Sequence, residues 1–138
     1  MNQRFPKAEH LCSRRLMERL HAEGHRLMAF PYSVQWLEEA SLPVPCQVLI
    51  VAPKRRLHHA VDRNRIRRLT RECYRLRKEP LLQLLEDRGM HITLSFVYVH
   101  NELMTYSQLS RRFDKLMVAL QNELSHEKAV PGAEMAVE

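Results

Sequence analysis

The chain has 138 residues, 45% of them hydrophobic and 28% charged, which predicts one soluble domain with a modest core. No apolar run approaches the ~20 residues of a membrane span, and the first ten residues lack the apolar stretch of a secretory signal. The three cysteines are widely spaced and form no CxxC pair, which favours free thiols in the reducing cytoplasm. Membrane-spanning and disulfide-stapled classes of protein are therefore excluded.

The N-terminal quarter is predicted to contain an irregular arm and one helix. Residues 1–9 show no periodicity and form the arm, whereas residues 10–23 have helical spacing of apolar side chains. Gly24 ends this helix at the usual C′ position. The apolar side of the helix consists of Leu11, Leu16, Met17 and Leu20.

Two strands are predicted next. Residues 27–37 alternate apolar and polar side chains, which predicts one strand with a single apolar face. Pro31 cannot donate to a strand ladder, so we expect it at an edge or a bulge. Residues 46–52 form a short, mostly apolar run, which predicts a strand buried on both faces.

Residues 54–78 concentrate the positive charge of the chain. Eleven of these 25 residues are Lys or Arg and two are acidic, giving +9, whereas the whole chain carries +6 and the remainder therefore −3. A local surplus of this size attracts a polyanion.

A helical projection of residues 58–77 separates an apolar stripe from a basic ridge. At 100° per residue, the predicted core-facing stripe contains Ile66, Leu69, Cys73 and Leu76. The basic ridge on the other side consists of Asn64, Arg67, Arg68, Arg71 and Arg75. A solvated charged face is the alternative, but an ordinary exposed helix mixes both signs of charge. Because each Arg fork can hold a phosphate through two hydrogen bonds, the ridge favours nucleic-acid binding.

The C-terminal half is predicted to hold a short helix, a strand and a long helix. Pro80 starts the short helix, which ends at Gly89. Residues 90–100 alternate clearly and form a strand. A Thr-x-x-Gln capping box opens a helix over 105–124, and residues 126–138 lack periodicity and are predicted to be a disordered tail.

The predicted order α-β-β-α-(short α)-β-α specifies the α+β class. We expect a single-domain α/β sandwich over residues 1–125, with helices packed on one sheet. A strand, the basic helix and another strand follow one another, so the basic helix is predicted to form a crossover.

Catalytic and metal-binding motifs are missing from the sequence. The eight histidines include no HExxH motif, no Cys/His cluster is present, and no GxSxG elbow occurs. We therefore predict no metal site and no catalytic residue. DNA readers place their recognition helix in a compact helix-turn-helix unit, whereas strands flank this basic helix, so structured RNA is the predicted partner and DNA is not.

The run AVDRNRIRR over residues 60–68, followed by Arg71-Glu72, resembles the RNR signature of the protein subunit of bacterial ribonuclease P. The resemblance extends from about Phe5 to Leu124. It implies a left-handed crossover through the basic helix and a complex with a catalytic RNA that removes the 5′ leader from precursor tRNA. It also implies that Mg²⁺ in this complex is held mainly by RNA and not by the chain.

The resemblance assigns residues to two sites. Matches to the signature that would contact the catalytic RNA are Lys54, Arg63, Asn64, Arg65, Arg67, Arg68 and Arg71, and the basic stretch adds Arg55, Arg56 and Arg75. A cleft for the single-stranded leader is implied between the first helix and the sheet, with Met17, His21 and Gln35. His21 stands where the family has a phenylalanine. The alternative function is a non-catalytic RNA-binding accessory of ribosome or tRNA metabolism.

Overall fold

Four strands and three α-helices are found in the computed structural model, which describes residues 4–129. In chain order they are a 3₁₀ turn (Lys7–Glu9), α1 (Arg14–Glu23), β1 (His25–Ala29), β2 (Tyr32–Glu38), β3 (Cys46–Val51), α2 (Ala60–Arg88), β4 (Ile92–Tyr98) and α3 (Tyr106–Ala129). These elements form one sheet with helices on both faces, which confirms the predicted α+β class.

The sheet has the strand order β1-β2-β4-β3. β4 pairs antiparallel with β2 and parallel with β3. Since α2 connects the adjacent parallel strands β3 and β4, the crossover through the basic helix is confirmed. The hand of this crossover stays a prediction.

Two hydrophobic clusters fix the helices on the two faces of the sheet. The larger cluster joins α2 and α3 to one face, and a smaller one joins α1 to the other. Along β4 the residues Ile92, Leu94, Phe96 and Tyr98 are buried in the larger cluster, as their alternation predicted. Thr93 and Ser95 point to the opposite face and are buried as well.

The predicted single strand over 27–37 is wrong, because these residues form a hairpin of β1 and β2. Ala29 pairs with Tyr32, so Phe30 and Pro31 make a two-residue turn with a cis peptide bond between them. Pro31 lies at the turn and not within a ladder, where its missing N–H would cost a hydrogen bond.

The predicted break at Pro80 is also wrong, since α2 runs without interruption from Ala60 to Arg88 with Pro80 inside it. A proline within a helix costs about 3 kcal/mol. Leu81 and Leu85 follow it and are both fully buried in the larger cluster, and burying each stabilises the helix by about 1.5–3 kcal/mol. Gly89 ends the helix with a φ of 64°.

α1 begins at Arg14 and not at residue 10, because residues 10 and 11 pair with β3. His10 bridges Val48, and the Leu11 N–H donates to the Val48 carbonyl at 2.9 Å. Gly24 ends α1 for a reason other than the predicted one. Its φ is −69°, but a Cβ built there would lie 2.4 Å from the Leu20 carbonyl oxygen, so close packing requires glycine.

The outer parts of the fold differ in extent from the prediction. β3 is an edge strand whose residues Gln47 and 49–51 are half-buried, so it is not buried on both faces along its length. α3 opens with the predicted capping box between Thr105 and Gln108. It continues to Ala129, so residues 126–129 of the predicted tail are helical, and residues 130–138 lie outside the described residues.

Candidate nucleic-acid interface

The buried side of the first half of α2 differs from the predicted apolar stripe. Ile66 and Cys73 are buried as expected, but Leu76 is 40% exposed. Thr70 and Tyr74 face the core instead, and the Thr70 hydroxyl hydrogen-bonds the buried Tyr32 hydroxyl at 2.6 Å. The stripe was wrong by roughly 60°, at 100° per residue, because only purely apolar residues defined it. The ridge side nevertheless faces away from the sheet.

Five of the predicted RNA-binding cations are exposed and make no hydrogen bond or ion pair with the rest of residues 4–129. These are Lys54, Arg55, Arg65, Arg68 and Arg71, termed here the unpaired cations. They lie in the loop before α2 and along its first three turns. The exposed guanidinium groups keep all their N–H donors available to a ligand, and a phosphate oxygen is the acceptor that suits them.

The other predicted RNA-binding residues are engaged within the protein. Arg63 donates to the carbonyl oxygens of Leu57 and His58 at 3.0 and 2.9 Å, which holds the start of α2 against its leading loop. Arg56 donates to Asn101 at 3.3 Å. The remaining side chains pair along α2, with Arg67 bonded to Asn64 and Arg75 to Glu72. Among these side chains Arg63 fixes the start of the helix, and Arg75 has its charge offset by an acid, whereas Arg67 is bonded to a neutral amide.

The described part of the N-terminal arm, residues 4–9, lies against one flank of α2. The Lys78 ammonium is only 1% exposed and lies 2.7 Å from a Glu9 carboxylate oxygen, and it also donates to the Arg4 carbonyl. The Phe5 ring packs edge-on against Tyr74 with the centroids 5.5 Å apart. Lys78 is thus the one fully buried cation of residues 54–78, and charge counting could not distinguish it from the ridge.

A cavity of about 380 Å³ lies on the other flank of α2, beside the segment that leads into α3. We call it the α2–α3 cavity. It is lined by Val61, Asp62, Arg65, Arg68, Leu103, Met104 and Thr105. Two of the unpaired cations therefore stand at its edge.

A second basic cluster occurs on α3 and was missed in the sequence. Its members Arg111, Arg112 and Lys115 are exposed and line a cavity of about 310 Å³ with Met104 and Gln108. The Arg112 guanidinium lies 5.5 Å from the centroid of the Phe30 ring. Asp114 interrupts the cluster in sequence but is bonded to Arg77 at 2.7 Å, so its charge is offset elsewhere. A charge count along the sequence misses this cluster because it cannot show that Asp114 is paired with Arg77.

The predicted cleft residues lie on α1 and on β2, the strand that α1 packs against. Gln35 is buried, and its side-chain amide donates to the carbonyl oxygens of Leu20 and His21 at 3.3 and 3.5 Å. His21 is exposed on the last turn of α1, and Met17 is half-buried against the smaller cluster. The structure thus places Met17 and His21 one turn apart on α1 and Gln35 on the adjoining strand, already bonded to the helix.

An open row of side chains crosses all four strands on the face that carries α1. Strand register aligns Met28, Ser33, Val97 and Val51 on this row. Met28 is exposed and the other three are half-buried, so α1 leaves this part of the sheet partly uncovered. We call the row the sheet trough.

Histidines and cysteines do not assemble into a metal site in the described part of the chain. No group of three or more His, Cys, Asp or Glu side chains in residues 4–129 could hold a metal ion. His21 and His25 are four apart in sequence, but α1 ends between them and His25 lies on β1. Cys46 and Cys73 are buried free thiols, and Cys12 is an exposed one. No helix among these residues is long and apolar enough to span a membrane.

Solved structures share this architecture. The ribonuclease P protein of Staphylococcus aureus matches with a TM-score of 0.65 at 19% identity, covering 82% of this chain and 96% of that one. The ribonuclease P protein of Thermotoga maritima matches with a TM-score of 0.60 at 18% identity, covering 78% and 94%. At such low identity these likenesses establish the fold alone.

Sequence relatives establish the family as well as the fold. The ribonuclease P protein component of Porphyromonas gingivalis is 30% identical over 115 residues, which are 83% of this chain and 84% of that protein. The corresponding protein of Chlorobaculum tepidum is 36% identical over 102 residues, or 68% and 66% of the two chains. The family model described as Ribonuclease P matches residues 5–121. The chain therefore belongs to the ribonuclease P protein family, the protein subunits of the endoribonuclease that processes the 5′ ends of tRNA.

Proposed function

We propose that the chain binds the catalytic RNA of ribonuclease P through the unpaired cations of α2 and its leading loop. The supporting observation is that these five side chains are exposed, positively charged and without a partner in residues 4–129. α2 is anchored in the larger cluster at both ends, by Ile66 and by Leu85, so its arginines are held in register. A rigid row of guanidinium groups suits the backbone of a folded RNA, which is recognised mainly by shape and phosphate position.

The chemistry of cleavage is proposed to belong to the RNA. The unpaired cations are four guanidinium groups and the Lys54 ammonium, and such cations have no free lone pair with which to act as general bases. They can neutralise phosphates close to the reaction site. Mg²⁺ held mainly by the RNA would supply the activated water.

The sheet trough is proposed to hold the single-stranded 5′ leader of precursor tRNA. Arg19 pairs with Glu39 on one flank of α1 at 2.5 Å, and a helical projection places Met17 and His21 on the opposite flank, which borders the trough. Met28 and Val97 offer apolar surface for stacked bases, and Ser33 offers a hydroxyl between them.

Variants of α2 separate RNA binding from folding. Arg68→Ala and Arg71→Ala should each leave the free energy of unfolding within about 0.5 kcal/mol, because both side chains are exposed. Each should weaken binding to the catalytic RNA by roughly 1.5–3 kcal/mol, through loss of a charge-assisted contact. Ile66→Ala should instead cost about 2–5 kcal/mol of stability through a core cavity.

The readouts are RNA affinity, denaturant unfolding, and restored cleavage of precursor tRNA by the matching catalytic RNA at physiological Mg²⁺. Arg88→Ala, at the far end of the same helix, is the matched control and should keep full affinity. Full affinity in both Arg68→Ala and Arg71→Ala would overturn the proposed interface.

A comparison of precursor and mature tRNA tests the leader site. His21→Ala should lower the affinity of the assembled enzyme for precursor tRNA and leave that for mature tRNA unchanged. A precursor-to-mature ratio equal to that of the unaltered enzyme would remove His21 from the leader site without affecting the α2 interface.

A further inference from the structure

The α2–α3 cavity is lined by both apolar and charged side chains. Val61 is 71% exposed and Leu103 43% exposed, and both line the cavity with Met104. Apolar side chains gathered on an otherwise charged surface mark a binding site. Arg65 and Arg68 stand at the same cavity and belong to the proposed RNA surface. A flat, apolar-faced group attached to a phosphate chain would fit both features, and an unpaired nucleobase is such a group.

Asp62 is the unexpected member of this lining. Only two acids occur in residues 54–78, and the other one, Glu72, pairs with Arg75. The Asp62 carboxylate makes no hydrogen bond or ion pair within residues 4–129, although Arg65 lies one turn away. A carboxylate in the first turn of a helix interacts favourably with the helix dipole. This accounts for an acid at this position but not for its place in a cavity.

We propose that the α2–α3 cavity holds one unpaired guanine of the bound RNA, with the Asp62 carboxylate accepting hydrogen bonds from guanine N1–H and N2–H. A carboxylate only accepts hydrogen bonds. Guanine is the base whose pairing edge offers two adjacent N–H donors, whereas adenine, cytosine and uracil place an acceptor beside their donor. This inference rests on the proposed function, since the guanine belongs to the RNA that the unpaired cations bind.

The sign of one substitution distinguishes this site from a general electrostatic surface. Asp62→Asn removes a negative charge from a polyanion-binding face, so simple electrostatics predicts tighter RNA binding. The guanine site predicts the opposite, a loss of about tenfold, because the new amide presents an N–H to the base donors. Glu86→Gln is the matched control, because Glu86 is an exposed acid on the same helix away from the cavity.

Chemical probing of the RNA reads the contact directly. A dicarbonyl reagent that adds to N1 and N2 of unpaired guanines should fail to modify one guanine in the complex with the unaltered protein. That guanine should regain reactivity with Asp62→Asn and with Leu103→Ser, and other protected nucleotides should stay protected. Val118→Ser, which replaces an exposed apolar residue of α3 outside the cavity, should leave the protection intact.

The outcomes separate the two proposals. Tighter binding by Asp62→Asn, or an unchanged guanine pattern in both cavity variants, would overturn the guanine site while leaving the α2 interface in place. Full affinity of Arg68→Ala and Arg71→Ala would overturn the interface itself. Leu103 lies outside the helices, so its variant remains informative if Asp62→Asn lowers the stability of α2.

Discussion

Cations that are equivalent in a charge count have different environments in the folded chain. Lys78 is buried against Glu9, Arg63 holds two carbonyl oxygens before α2, and Arg77 ties α2 to Asp114 of α3. Arg68 and Arg71 are exposed and unpaired within residues 4–129. Substitution of the first group should therefore change stability, and substitution of the second should change RNA affinity.

The two buried thiols should resist modification and make the fold sensitive to alkali. Burial raises the pKa of Cys46 to about 12 and that of Cys73 to about 11, from an ordinary 9.0. At pH 8 a maleimide should label only Cys12 in the folded protein. The folded thiols stay protonated where unfolded ones ionise, so stability is complete below pH 9 and falls as pH rises toward 11–12. The loss should be at most about 1.4 kcal/mol per pH unit for each thiol.

Mass spectrometry after labelling and urea unfolding at pH 8, 9.5 and 10.5 measure these effects. Cys73→Ala should start from lower stability and show a shallower decline above pH 9. Rapid labelling of all three cysteines at pH 8 in native conditions would contradict the burial of Cys46 and Cys73.

The N-terminal arm is attached to α2 by one buried ion pair, and its loss should be costly. Glu9→Gln leaves the Lys78 ammonium, 1% exposed, without a counter-charge. Breaking a buried pair from one side costs about 3–5 kcal/mol, and urea unfolding should show a loss of this size. The double variant Lys78→Met/Glu9→Gln should be more stable than Glu9→Gln alone, because no uncompensated charge remains.

An exposed pair gives the control for this experiment. Glu23 pairs with Arg19 at 3.6 Å with its side chain 59% exposed, so Glu23→Gln should change stability by less than about 1 kcal/mol. Equal losses in Glu9→Gln and Glu23→Gln would show that the arm is not held by this pair.

The sequence predicted elements whose signal is local and complete. The capping box of α3 and the alternation of β4 are each formed by residues only a few positions apart in the chain, and both were confirmed. The continuity of α2 through Pro80 was not predictable in this way, because it depends on Leu81 and Leu85 meeting the sheet. The buried side of α2 was not predicted correctly for a similar reason, since Thr70 is polar and its burial depends on the distant Tyr32 hydroxyl.

The sequence predicted the location of the candidate site but not which of its cations are paired. Residues 54–78 were recognised by charge alone, but the division into paired and unpaired cations depends on partners such as Leu57, Asn101 and Glu9. The cluster on α3 and the α2–α3 cavity depend on segments that meet only in the fold. Contacts between distant parts of the chain carry no signature in a single sequence.

Charge is distributed unevenly over the whole molecule, and salt should report this. Residues 54–78 carry +9 and the remainder −3. If the five unpaired cations each neutralise a phosphate, the logarithm of the affinity for the catalytic RNA should fall with the logarithm of salt concentration with a slope of roughly −4. Affinity measured from 50 to 200 mM salt gives this slope.

Two substitutions test where the salt dependence arises. The double variant Arg68→Ala/Arg71→Ala should make the slope shallower by about 2, because each lost phosphate contact removes about one unit. Arg88→Ala should keep the original slope. A slope near zero in the unaltered protein would exclude the unpaired cations as the binding surface.

The central position of β4 determines the order in which the chain can be assembled on the ribosome. β4 pairs with β2 on one side and β3 on the other, yet it follows both in sequence. A nascent chain can close the hairpin of β1 and β2 and wind α2 before β4 has been synthesised. Until then β3 lacks its neighbouring strand, and α2 lacks the sheet centre that its buried side covers. A product of interrupted translation that ends within α2 is therefore an arginine-rich helix without a completed sheet, and it would bind cellular RNA without the shape that confers selectivity.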